Sequence, residues 1–230
     1  MNNFKKIALG TITAGTMLAG TQAYAGEASA NIAAASNYLF RGVTQTMNEA
    51  AVSGGLDYAD DSGFYVGTWA SNVNFGEGST ELDFYAGFSG EAGEVGYDIG
   101  YVYYAYPQDD DADYGEIYLS ASVSAFSAGV NFVVNSDVSE PGLYVDGDIY
   151  YFISVGGEIA EDWSAALTVG YQDFDFDGSS ALGDVSYAHY QFDITKSAGD
   201  YGDLTFTLSI AEEEAGDDDL IPMISWSKGF

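Results

Sequence analysis

The sequence contains no cysteine. That excludes a disulfide scaffold, a Cys-based zinc site, a thiol nucleophile and a lipoprotein anchor. Basic residues are nearly as scarce: five Lys and Arg stand against 36 Asp and Glu, for a formal net charge of −31. So anionic a chain offers no surface to a nucleic acid, itself a polyanion. Histidine occurs once, at His189. A hydrolase centre needs a Ser or Asp partner in a recognisable motif, and none accompanies it, so His189 reads as a hydrogen-bonding residue and no catalytic residue is expected. No stretch after the first 25 residues offers 18 consecutive apolar residues, which excludes a transmembrane helix. Helical i, i+3, i+4 periodicity is missing as well.

What is present is apolar and aromatic. Hydrophobic residues make up 47% and aromatic ones 16%, while only 18% are charged. That composition excludes a disordered acidic tail. With 29 glycines and 19 tyrosines but three prolines, the chain reads as an all-β protein. Its 230 residues suffice for one β-barrel or for one to two ordinary domains.

The first segment has the form of a targeting signal. Lys5 and Lys6 precede an uncharged run from Ile7 to Ala19, and Ala23-Tyr24-Ala25 is a small-x-small cleavage site. The run is too short to span a bilayer as a helix. We therefore expect residues 1–25 to be a cleaved signal peptide and Gly26 to open the mature chain, residues 26–230. Its only basic residues are Arg41, Lys196 and Lys228.

Along the mature chain the recurring pattern has a period of two. Leu82, Phe84, Ala86 and Phe88 alternate with Glu81, Asp83, Tyr85 and Gly87; Ile117, Leu119 and Ala121 alternate with Glu116, Tyr118 and Ser120. The pattern predicts about twelve strands, near 29–42, 50–59, 64–73, 80–90, 95–106, 114–125, 127–136, 142–160, 163–173, 185–197, 203–211 and 220–230. Connections alternate between short, such as Asp60–Gly63 and Glu161-Asp162, and long, such as Val43–Glu49 and Phe174–Asp184. This is the pattern of an antiparallel transmembrane β-barrel with tight periplasmic turns and longer external loops. A soluble barrel shows the same period with its faces reversed. Acids spread over the polar face, aromatics near strand ends (Tyr38, Phe40, Tyr65, Trp69, Tyr101, Tyr103, Trp163, Tyr171, Tyr187, Trp226) and an aromatic last residue favour the membrane form. Trp226 and Phe230, at alternate positions of the last strand, resemble the signal that barrel-assembly machinery reads. Lys228 departs from that pattern, and its long stem can snorkel to the interface.

The segment Ser36-Asn37-Tyr38-Leu39-Phe40-Arg41-Gly42-Val43-Thr44-Gln45-Thr46, with Ala51–Tyr58 and Gly63–Val73 after it, resembles the opening of the TorF family of porins. Glu81–Gly87 and the Gly96-Tyr97-Asp98 strand are similar to the same family. The resemblance implies an outer-membrane β-barrel and supplies neither a substrate nor catalytic residues.

Alternation turns Asp57, Glu81, Asp83, Asp98, Glu116, Asp146, Asp148 and Asp193 toward the lumen, with Arg41 as the one strand cation facing inward. Fixed carboxylates in a narrow aqueous channel favour cations over anions. Twelve strands lie between a filled eight-stranded barrel and an open sixteen-stranded porin. We expect a narrow channel for small cationic or neutral solutes. Arg41 either pairs with a facing carboxylate and constricts the lumen or fixes the register of the first strand. The other expectation is a plugged, non-conducting barrel with a structural or surface role, crowded by Tyr85, Tyr104, Tyr106, Tyr118, Tyr144, Tyr150 and Phe152. The acidic runs at 109–113, 173–177 and 217–219 read as solvated loops: Asp173-x-Asp175-x-Asp177 begins like a calcium loop but lacks the twelfth-position Glu. No metal and no cofactor is expected. Outer-membrane lipid and lipopolysaccharide are the expected surroundings. Gly54-Gly55 and Gly156-Gly157 have neither the helix nor the Lys of a phosphate loop and read as bends or ring-packing sites.

Overall fold

Strands form wherever the period-two pattern is uninterrupted, and in the computed structural model they close on themselves. Residues 26–75, 78–139, 142–174, 185–216 and 218–230 are described. The expected signal peptide lies outside them, as do Asp175, Asp177 and Asp217 of the acidic runs. The strands are β1 (Glu27–Ala35), β2 (Leu39–Phe40), β3 (Val43–Thr44), β4 (Ala51–Ala59), β5 (Phe64–Phe75), β6 (Gly78–Ala92) and β7 (Val95–Ala105), followed by β8 (Tyr114–Val123), β9 (Phe126–Ser136), β10 (Ile149–Ala160), β11 (Trp163–Asp173), β12 (Tyr187–Ser197), β13 (Asp203–Ala211) and β14 (Ile221–Gly229). From β4 to β14 each strand pairs antiparallel with the next, and β1 pairs with both β4 and β14. The result is a closed twelve-stranded barrel without an edge. β2 and β3 pair only with each other.

The barrel is inside-out relative to a soluble one. Leu56, Phe84, Ile99, Leu119, Ile153, Leu204 and Ile224 are exposed on the outer wall, Ile153 at 63%. Glu81, Glu116, Gln172, His189, Gln191 and Thr207 are buried inside it. Each large apolar side chain held in water forfeits about 1.5–3 kcal/mol of burial, so such a wall is favourable only against hydrocarbon. An Ile153→Arg substitution on this wall should cost about 2–4 kcal/mol, the depth-dependent cost of a cation near the bilayer midplane. Denaturant unfolding in phospholipid vesicles measures it, and an unchanged midpoint would contradict a lipid-facing wall.

The connections alternate as the sequence predicts except between β5 and β6, which are separated by residues 76–77 alone where the connection Asn74–Ser79 was expected in the longer set. One end carries tight turns: Gly93-Glu94, Ser124-Ala125 and Glu161-Asp162 each contain a residue of positive φ (Gly93, Ser124 and Asp162), which two-residue hairpins require. The second of these turns falls two residues before the Phe126-Ser127 expected for it. At Asp60–Gly63 the Ser62 amide and hydroxyl both donate to Asp60 Oδ1, at 2.8 and 2.5 Å. Those bonds hold the Asp60 carboxyl below its usual range. The longer connections gather at the opposite end.

Two strand expectations are corrected. The first strand stops at Ala35 instead of running to residue 42, and the strand expected from 142 starts at Ile149. Aromatics divide more sharply than expected. Trp163 and Tyr171 point outward, whereas Phe40, Tyr65, Trp69 and Tyr187 are buried inside the barrel and do not belong to an interfacial girdle. At the tight-turn end Trp226 Nε1 donates to the Tyr201 carbonyl at 2.7 Å, and Lys228 Nζ reaches the Asp200 carbonyl at 2.7 Å. Phe230 is exposed, with Lys228 Nζ 5.1 Å from its ring centroid.

Candidate functional site

Of the fifteen residues between β1 and β4, 36–50, the stretch 37–46 turns into the barrel while Ser36 and Met47–Ala50 stay exposed. A polar knot starts the turn. Asn37 Oδ1 accepts from Thr44 Oγ1 at 2.7 Å and Thr46 Oγ1 at 2.9 Å, and Asn37 Nδ2 donates to Asn48 Oδ1 at 2.8 Å. The Glu49 carbonyl lies 2.6 Å from Thr46 Oγ1 as well, so it and Asn37 Oδ1 share the one hydroxyl hydrogen. These side chains give the backbone an alternative to continuing the strand. At the tip, Phe40 pairs with Val43 across Arg41 and Gly42, whose φ values are 50° and 85°, as in a type I′ hairpin.

The hairpin crosses the lumen. Tyr38 donates its hydroxyl to Glu81 on β6 at 2.6 Å, and its ring lies 5.6 Å from Trp69 on β5. Phe40 packs on Tyr104 of β7 and on Tyr144, with centroids 5.7 and 5.9 Å apart. Gly42 abuts β12 so closely that a Cβ there would lie 2.6 Å from His189 Cβ. β6 and β12 are six places apart in the ring of twelve, so the hairpin bridges opposite walls.

Arg41 is therefore not a strand residue, which corrects the sequence expectation. It is 1% exposed, and its Nη2 lies 2.6 Å from Glu116 Oε2 on β8 while Nη1 donates to Gln172 Oε1 on β11 at 2.8 Å. Glu116 Oε2 also accepts from Asn131 Nδ2 at 3.0 Å. The ion pair is thus buried and oriented from a third strand, β9, which is the arrangement in which losing one partner is costly.

The remaining acids are placed in five ways. Glu81 and Asp83 point inward on β6 beside this pair; Glu81 accepts from Tyr38 and from Tyr106 at 2.9 Å. Asp83 has no exposure, and neither of its carboxyl oxygens has a hydrogen bond among the described residues. Asp193 on β12 is held by neutral donors, Gln191 Nε2 at 2.9 Å and Thr207 Oγ1 at 2.6 Å. Asp57 on β4 and Asp98 on β7 are half-buried nearer the tight-turn end. Tyr85 donates to Asp57, and Tyr65 donates to Asp98 at 2.6 Å. Asp148 is buried before β10, its Oδ2 accepting from the Val145 amide at 3.0 Å. Asp146 is corrected: it lies exposed in the Val145–Asp148 turn, off any strand.

Glycines decide how the rings lie. Gly67, Gly87 and Gly100 are the cross-strand partners of Tyr85, Tyr65 and Tyr118. A Cβ on them would come within 2.5, 2.3 and 2.4 Å of those side chains. The missing side chains let the tyrosines lie flat along the wall, as aromatic residues cover glycines in sheets. Along β14, β1 and β4 the inward residues Ser225, Ala33, Ser53 and Gly55 are small and only half-buried.

His189, the sole histidine, is 1% exposed, with Nε2 2.9 Å from the Tyr150 hydroxyl. No described cluster of three His, Asp or Glu side chains has metal-site geometry. Sequence reasoning missed Gln172, Asn131 and Gly42. An Arg-Gly pair flanked by Phe40 and Val43 was the one local signal of a hairpin tip.

The family described as "Bacterial protein of unknown function (Gcw_chp)" matches residues 19–215. No curated protein sequence matches the chain. Among solved structures, a KdgM porin superposes with a TM-score of 0.57 at 6% identity, covering 88% of this chain and 98% of that one. A KdgM porin in complex with disordered oligogalacturonate gives 0.54 at 6% identity, covering 88% and 96%. A NanC porin gives 0.53 at 10% identity, covering 88% and 98%. At these identities the likeness is one of fold.

Proposed function

The chain belongs to the Gcw_chp family of bacterial proteins, and we propose that it acts as a porin-like channel in the bacterial outer membrane, passing small cationic or neutral solutes. The observation that carries the reading is the charge balance inside the barrel. Asp57, Glu81, Asp83, Asp98, Glu116, Asp148 and Asp193 turn into it or line its mouth, and the one arginine there is engaged by Glu116. In a narrow aqueous passage, uncompensated carboxylates lower the energy of a cation and raise that of an anion. Half-exposed residues along β14, β1 and β4 support an eccentric passage beside the hairpin.

In this reading the long connections face outward toward lipopolysaccharide, and the tight turns and both chain ends face the periplasm. Trp226 and Phe230 serve as the signal for barrel assembly. A second reading, a plugged barrel with a structural role, is favoured by one observation, the hairpin that reaches from β6 to β12. The two differ in whether the barrel conducts.

Asp57 and Asp98 are the acids with most access to water, so they set the filter. Converting both to Asn should reduce the cation-to-anion permeability ratio of the refolded protein in planar bilayers while leaving conductance steps in place. An unchanged ratio would remove these two carboxylates from the mechanism.

A further inference from the structure

The Arg41 guanidinium occupies a cradle more elaborate than a constriction needs. Gln172 on β11 accepts from Nη1 at 2.8 Å and Glu116 on β8 from Nη2 at 2.6 Å. The Tyr150 ring of β10 lies 4.3 Å from the guanidinium carbon, and the hairpin's own Phe40 lies 4.6 Å from it. Asn131 steadies Glu116 from β9 at 3.0 Å. The barrel wall therefore presents a carboxylate, an amide oxygen and an aromatic face to one planar cation, the acceptor pattern that an arginine fork matches and an ammonium does not. Glu116 has no exposure, and its Oε1 has no hydrogen bond among the described residues, so the wall holds acceptor capacity beyond what Arg41 uses.

Turn geometry does not call for an arginine here. A hairpin with positive φ at both central residues favours Asn-Gly or Asp-Gly, yet the first position, at φ 50°, is Arg41. A polar turn former would close the hairpin with less strain. What arginine adds is the guanidinium.

We propose that the inner wall of β8, β10 and β11 is a binding site for small guanidinium-bearing cations, which Arg41 occupies when the hairpin is in place. This deepens the channel reading by naming a solute class, and only its transport consequence rests on that reading. Tethering gives Arg41 an effective concentration in the millimolar range or above, so a free solute competes poorly with it in the intact chain. Without that side chain the cradle is vacant.

The test is a calorimetric titration of the refolded Arg41→Ala barrel in detergent micelles, with methylguanidinium and with its neutral counterpart N-methylurea. Methylguanidinium should bind saturably and at least about tenfold more tightly than N-methylurea, the margin of a charge-assisted over a neutral hydrogen bond. The intact chain should show no binding over the same range, and Arg41→Ala combined with Glu116→Gln should lose it. Equal binding of the two probes, or none, by a barrel with heat-modifiable gel mobility would overturn the proposal. Should Arg41→Ala fail to fold, Arg41→Gln, which keeps a long polar side chain but no charge, takes its place under the same criteria. In bilayers methylguanidinium should block Arg41→Ala currents and N-methylurea should not. Selective binding by a barrel that carries no current supports the cradle and contradicts the channel, so the two failures are distinguishable.

Discussion

Replacing Gly42 with valine should raise the single-channel conductance severalfold while the barrel stays folded. Gly42 has φ 85°, and a Cβ there would lie 2.6 Å from His189 Cβ. The left-handed region costs an L-residue about 1–2 kcal/mol, and more for a β-branched side chain. The clash is with the near end of the His189 side chain, on the backbone of β12, which a rotamer change cannot move. Valine therefore expels the hairpin from its seat. Because β2 and β3 pair only with each other, the barrel's ladder is untouched. Heat-modifiable mobility like that of the unaltered protein, together with larger current steps, is the expected outcome. Unchanged steps in a folded barrel would show that the hairpin does not limit the passage.

Glu116→Gln should free the hairpin by a different route. Arg41 is 1% exposed and keeps its charge in any protein environment. Removing its carboxylate leaves a buried, uncompensated cation, and breaking such a pair costs about 3–5 kcal/mol. Releasing a two-residue ladder is cheaper than opening the barrel, so the strain is relieved by the hairpin leaving. Arg41 is the chain's only arginine, which makes an arginine-specific protease a clean reporter. Cleavage after Arg41 should be negligible in the intact protein in micelles. In Glu116→Gln it should be about a hundredfold faster or more, following the population of the released form. Equal protection of both would mean that the pair does not hold the hairpin.

The two strand corrections and the successes have one physical origin. The strands from β4 to β9 were legible because a barrel wall between lipid and lumen imposes a strict period of two, and Glu81–Phe88 or Glu116–Ala121 obey it without interruption. Residues 36–43 keep that same period, Tyr38 and Phe40 against Leu39 and Arg41, so alternation alone carried the first strand too far. What breaks it is Asn37 bonding to Thr44, Thr46 and Asn48, a side-chain network whose effect on the backbone no periodicity reports. Tyr144-x-Asp146-x-Asp148 misled in the same way, since the chain there turns through Tyr144 at φ 61° and Gly147 at φ 106°. Alternation placed Tyr85, Tyr104 and Tyr118 inside, but Tyr65 was assigned to a girdle because the sign of its inward course is a glycine on the neighbouring strand, Gly87. That pairing depends on register, which is visible only once strands are matched. The inward acids of the regular strands, from Asp57 to Asp193, were placed by alternation alone, but the partners that hold Arg41 come from β8 and β11, distant in sequence and joined only by closure.

The central claim is that an acid-lined passage runs beside an inward hairpin. The most direct test is the reversal potential of the refolded protein in a planar bilayer under a potassium chloride gradient. Discrete current steps with a reversal potential displaced toward that of potassium are the predicted result. Steps reversing toward chloride would contradict the electrostatic account, and a silent bilayer with folded barrels would contradict the channel itself.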